Sequence, residues 1–186
     1  MRSFSFFIIA SATAFLFSAC GKNTSTNTPA TAKEDAATVL YSEFHDFESV
    51  PDAFTDSTKA FSGKHSGALN QKTEYSFGLS KHFNQIASFK SIDEINVSFK
   101  CWMDKKYPDA VFVLSIDDSV SGKSIMWEGK PIVPSKMNDW DDVHINFKLN
   151  KKFILPNYTI KLYIWNKGKN TFYFDDLKLD FIKIKK

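Results

Sequence analysis

The feature that most constrains this chain is a two-residue alternation of apolar and polar side chains, which recurs in three separate runs. Ile95, Val97, Phe99, Cys101 and Met103 alternate with Asn96, Ser98, Lys100 and Trp102. Val143, Ile145, Phe147 and Leu149 alternate with Asp142, His144, Asn146 and Lys148, and Ile160, Leu162 and Ile164 with Lys161, Tyr163 and Trp165. Successive side chains of an extended strand point to opposite faces, so each run predicts a strand with one buried face. Further strand candidates are 42–48, 68–77, 111–117, 124–128 and 171–184, separated by turn-forming clusters at 62–67, 121–123, 138–139 and 166–170. Only 80–89 has mixed spacing, with room for one helical turn. Eight or so short strands predict an all-β fold, an antiparallel β-sandwich. Its expected form is a jelly roll.

The N-terminal segment is set apart from that domain. Arg2 precedes an apolar stretch through Phe17, which ends at Ser18, Ala19 and Cys20. It is too short for a membrane span and reads as an export signal over 1–19. Phe17-Ser18-Ala19-Cys20-Gly21 resembles the lipobox of bacterial lipoproteins, with Phe where Leu is commonest. The resemblance implies that Cys20 becomes the lipid-bearing (palmitate-type) N-terminus, and stable anchoring takes more than one acyl chain. Residues 20–38, rich in Thr, Asn, Ala and Lys, have the composition of a flexible tether. The folded domain is then expected over 39–186.

In Bacteroidetes-type lipoproteins, acidic tags directly after the lipidated Cys favour surface display. The first acidic pair here, Glu34-Asp35, lies fourteen residues beyond Cys20. The expected location is the outer membrane or cell envelope, with the periplasmic and surface faces both open. Lipidation of Cys20 leaves Cys101 alone, with no disulfide partner, and its alternating run marks it as a small core residue.

Composition narrows the function classes. Net charge is +3 without a basic block, which argues against nucleic acid. Arg2 is the only arginine, so the exported protein carries no guanidinium fork for carboxylate or phosphate. The four histidines, at 45, 65, 82 and 144, form no zinc-binding spacing, and no phosphate loop or serine elbow is present. Asp139, Asp141 and Asp142 are the densest acids, but they flank Trp140 in a turn and lack the paired arrangement a glycosidase needs. No catalytic residues are expected.

The aromatic residues give a positive signal. Trp102, Tyr163 and Trp165 fall on the outward phase of their strands, together with Asn96, Lys100, His144, Asn146 and Lys161. Outward rings form a surface on which a sugar can stack, and nearby polar groups can bond its hydroxyls; the bland alternative is that loops cover them. Trp102, Tyr163, Trp165, His144 and Asn146 are the expected ligand-binding residues. Trp127 and Trp140 read as core-edge or rim residues.

Three motifs, in order, resemble the jelly-roll carbohydrate-binding-module (galactose-binding-like) superfamily: Asp46-Phe47-Glu48, Ser62-Gly63-Lys64-His65-Ser66-Gly67, and Phe172-Tyr173-Phe174-Asp175-Asp176-Leu177. The resemblance implies a noncatalytic carbohydrate-binding protein with a structural calcium. The ion would be held by Glu48, the Lys64 backbone and Asp175, with Asp46 and Asp176 as alternates. Calcium takes six to eight oxygens, which carboxylates and loop carbonyls can supply. The expected partners are a membrane, through the lipid, and an environmental or envelope polysaccharide. The alternative is a structural or protein-interaction subunit of an envelope complex, bound to envelope proteins and lacking a sugar site.

Overall fold

A computed structural model describes residues 37–50, 54–104 and 109–185. The expected signal segment and Cys20 lie outside the described residues. Ten strands follow in order: β1 (Ala37–His45), β2 (Thr55–Asp56), β3 (Ser66–Leu69), β4 (Leu79–His82), β5 (Glu94–Met103), β6 (Ala110–Asp118), β7 (Ser124–Pro131), β8 (Trp140–Lys148), β9 (Tyr158–Asn166) and β10 (Phe172–Ile184). They build two antiparallel sheets, and the architecture is the predicted jelly-roll sandwich. The first sheet has the order β2-β3-β10-β5-β8, with β1 also on β10; the second runs β4-β9-β6-β7.

The inward phases of the alternating runs meet between the sheets. Ile95, Val97, Phe99 and Cys101 of β5 face Ile160, Leu162 and Ile164 of β9 in one buried cluster. Phe47, Phe83, Phe112, Phe147, Phe172, Phe174 and Phe181 are all fully buried there. Each such ring contributes about 1.5–3 kcal/mol by leaving water. Gly67 lets β3 lie against this core, because a Cβ there would stand 2.3 Å from the Phe174 ring.

The long β10 is the seam of the first sheet. One edge pairs with β5; the other pairs with β3 at Phe172–Phe174 and with β1 at Leu177–Ile184. Between the two halves the register shifts at Asp175–Lys178, and Asp176 takes a left-handed φ of 50°. Extra backbone is accommodated here as a bulge.

Two local expectations are corrected. The 68–77 run is not one strand: β3 ends at Leu69, a turn closed by the Asn70 side chain follows, and Tyr75 returns as a single bridge to Trp165. The 80–89 stretch begins as the edge strand β4 and continues into two short 3-10 turns, Phe83–Gln85 and Phe89–Ser91.

Candidate functional site

The outer face of the second sheet carries a row of aromatic rings. Tyr163 and Trp165 point outward from β9, opposite Val113 and Val111 of β6. Those two valines share the outward phase yet are buried, and form the floor of the row. Tyr75, bridged to Trp165 from the sheet edge, stacks on it with centroids 6.0 Å apart and planes 15° apart. Tyr75 also meets Tyr163 edge-on at 6.0 Å. On the far side, Trp127 of β7 meets Trp165 at 6.4 Å and 82°. Tyr75 is 49% exposed and Trp127 53% exposed, so the two ends of the row face solvent.

The backbone beneath is shaped to let these rings lie down. Gly129 shares Trp127's face of β7, and a Cβ on it would come within 2.6 Å of the indole. Beyond Tyr163 the row runs into a shallow recess lined by Phe54, Phe77 and Gly78. The charged neighbours are internally matched: Lys161 with Asp117 at 2.7 Å, Lys167 with Asp109 at 2.8 Å, and Lys169 with Glu74. The surface therefore combines flat apolar faces with hydrogen-bonding groups at its margins. Flat rings of this kind offer a stacking surface to a ring-shaped ligand.

The structure divides the residues expected to share one face. Tyr163 and Trp165 lie in this row, whereas Trp102, His144 and Asn146 lie on the outer face of the other sheet. Strand phase fixes whether a side chain points outward; it does not fix which sheet holds the strand. Trp102 is half-buried, with the Lys59 ammonium 3.9 Å above its ring and Tyr173 edge-on at 5.6 Å. Asn146 donates to Glu94 and Asn96 at 2.7 Å each, and with His144 it lines a polar depression reaching Asp180. Sequence reasoning missed Tyr75, on an irregular edge segment, and placed Trp127 on a rim. The Trp127-Glu-Gly129 spacing was the available signal, since it sets a ring and a bare backbone on one face of a strand.

The acids expected to hold calcium grip the loop 57–66 in another way. Glu48 Oε1 accepts the backbone N–H groups of Lys64 and His65, both at 2.8 Å, and Gly63 with φ 60° passes directly above this carboxylate. Asp175 Oδ2 accepts from the Phe61 and Ser62 amides at 2.9 and 3.1 Å, and Oδ1 from Asp176 N–H at 2.8 Å. Asp176 accepts from the Ser62 hydroxyl, and Asp46 from the Glu48 amide. The amides of His65 and Lys64 hold the Glu48 carboxyl below its ordinary range; burial pushes that of Asp175 up. Among the described residues no three His, Cys, Asp or Glu side chains gather to hold a metal ion. Arranged like this, Glu48 and Asp175 tie the loop down through backbone N–H donors.

Cys101 is fully buried, and burial pushes its thiol up to about 12, which leaves it protonated and unreactive.

No protein-family model and no curated protein sequence matches this chain. Its fold is similar to that of the CBM22-1 xylan-binding domain of Xyn10C from Paenibacillus barcinonensis, at TM-score 0.50 and 13% identity. That match covers 81% of this chain and 99% of that domain. The N-terminal CBM22-1-CBM22-2 tandem domain of the same protein matches at TM-score 0.51 and 13% identity over 83% of this chain, which spans 48% of the tandem. At such identity the likeness establishes the jelly-roll fold.

Proposed function

We propose that this protein is a noncatalytic glycan-binding module held at a membrane of the cell envelope by a lipid on Cys20. The observation that carries the glycan reading is the solvent-facing row Tyr75–Trp165–Trp127, with Tyr163 beside it. It is a multi-ring stacking surface with few competing packing roles at its ends. The likeness to a xylan-binding domain supports the reading at the level of the fold. The matched lysine–acid pairs around the row support a noncatalytic role, because glycoside cleavage uses two positioned carboxylates as acid and nucleophile or base. The lipobox-like Phe17–Cys20 sequence supports the anchor.

The test is affinity electrophoresis and a glycan array with the full-length protein in detergent. Binding is expected in the weak, micromolar-to-millimolar range, since a shallow face buries little of its ligand. Trp127→Ala is expected to abolish retention while costing about 1–2 kcal/mol of stability, less than the roughly 3–5 kcal/mol of a core Trp. A parent protein that retains no glycan would favour the protein-interaction alternative. Metabolic labelling with a palmitate analogue is expected to mark the parent but not Cys20→Ser; label that survives the substitution removes the anchor.

A further inference from the structure

We infer that the end of the sandwich where the chain enters is a docking surface for the anionic phospholipid bilayer that carries the anchor. This rests on the lipid-anchor reading of Cys20. The chain enters β1 at Ala37, which pairs with Ile184 near the end of β10. The same end collects lysines from three separate elements. Lys183 and Lys185 come from β10 and its continuation, Lys151 and Lys152 from the turn after β8, and Lys90 from the turn before β5; all five are exposed. Ser91, Asp93, Lys151, Lys183, Ile184 and Lys185 line one open depression.

The acid within this cluster, Asp93, is engaged by Lys151 at 2.9 Å and by the Ile184 N–H at 2.9 Å. Glu94 stands opposite Lys148 across the β5–β8 pair. The cluster thus keeps a net positive charge. Leu155, 40% exposed, and half-buried Phe153, with the Lys152 ammonium 4.7 Å above its ring, add apolar surface beside it. At the opposite end, where β5 finishes and β8 begins, acids and lysines are paired, Asp142 with Lys100 at 2.6 Å and Asp139 with Lys136 at 3.9 Å.

The length of chain before β1 bears on how this cluster and the membrane meet. Sixteen residues, 21–36, separate Cys20 from Ala37. That length of chain keeps the entry end within covalent reach of the surface that carries the lipid. Near such a surface an anionic leaflet attracts lysines over about a Debye length. Tethering supplies the high effective concentration that a weak electrostatic contact needs. Docking at this end also turns Tyr75 and Trp165, at the far end of β9, away from the bilayer.

The test is amine acylation footprinting of the full-length protein reconstituted into vesicles of phosphatidylcholine alone, or of phosphatidylcholine with phosphatidylglycerol. Each lysine at an anionic surface shifts the docked equilibrium about fivefold. Lys152, Lys183 and Lys185 are therefore expected to lose most of their reactivity on the anionic vesicles, and high salt should restore it. Lys72 and Lys136, at the opposite end, are expected to react equally on both. Lys183→Gln with Lys185→Gln should return Lys152 to full reactivity, while Lys72→Gln with Lys136→Gln, the same loss of net charge, should not. Equal reactivity on both vesicle types, or equal effects of the two double variants, would overturn the docking surface. Recovery of the protein free of vesicles altogether would instead overturn the anchor on which it rests.

Discussion

Replacing Asp175 by Ala removes the acceptor that ties the loop before β3 to the bulge of β10. Asp175 is fully buried and takes three backbone N–H groups, from Phe61, Ser62 and Asp176. A hydrogen bond to a charged group is worth about 1.5–3 kcal/mol, but burying the carboxylate returns part of that gain. Phe61 is 45% exposed, so water can reach its end of the loop once the side chain is gone. The expected net loss is about 2–4 kcal/mol. At about 2–4 °C per kcal/mol for a domain of this size, the melting temperature should fall by roughly 10 °C. Asp175→Asn keeps one acceptor but turns an NH2 group toward N–H donors, and should recover only part of the loss.

Differential scanning calorimetry with and without a chelator measures both effects, and the parent melts are expected to coincide. A parent melt lowered by the chelator, or raised by added calcium, would refute the reasoning, because the carboxylates would then be serving a cation rather than amides. The two acids also differ in pH response. Asp175 has a raised carboxyl, so the folded state binds its proton more tightly, and its contribution falls as pH rises from the unfolded value near ~3.9 through the folded one. Glu48 has a lowered carboxyl, so its contribution is present above the unfolded value and is lost as pH falls through the folded one. Melts of Asp175→Asn and Glu48→Gln across the acid range should therefore diverge from the parent in opposite senses.

Two further outcomes follow from the aromatic row and the core. Gly129→Val should lift the Trp127 indole off β7; it should weaken the exciton-coupled circular dichroism of the near-perpendicular Trp127–Trp165 pair and reduce glycan retention, with an unchanged couplet contradicting the role given to the bare backbone. In a Cys20→Ser background, Cys101 should resist maleimide at pH 8 until the protein unfolds, since its thiol is pushed up to about 12; rapid labelling of the native protein would show that the core around β5 opens.

The sandwich was legible because β5, β8 and β9 each keep an apolar inward phase along most of their length. β6 shows the limit of that code. It is buried on both faces, since Val111 and Val113 lie under the aromatic row, and its continuous apolar run identifies a strand without saying which side faces the core. The candidate site was half legible for the same reason. Outward phase picked out Tyr163 and Trp165, but Trp102 shares that phase and belongs to the other sheet, under Lys59. Sheet membership depends on pairings between strands far apart in sequence, which no local pattern encodes. Tyr75 was invisible because a single bridge leaves no periodicity. The acids were legible as residues, but the amides that Glu48 and Asp175 accept follow from the path of the 57–66 loop, which no local pattern encodes.

The position of β10 as the seam of the first sheet also sets a timetable for the newly made chain. Among the described residues β1 pairs only with β10, and the pairing Ala37–Ile184 closes a loop of nearly the whole domain. Ribosomes add about 5–20 residues per second, so β1 waits roughly 10 s between its own synthesis and the arrival of its partner. During that interval Phe47 lacks Phe174, against which it packs edge-on at 5.0 Å in the finished core. The second sheet can assemble early from β4, β6, β7 and β9, but the first cannot close until its last strand is made. A nascent chain built this way stays incompletely folded throughout its synthesis, the state in which a polypeptide can still be threaded through a narrow pore.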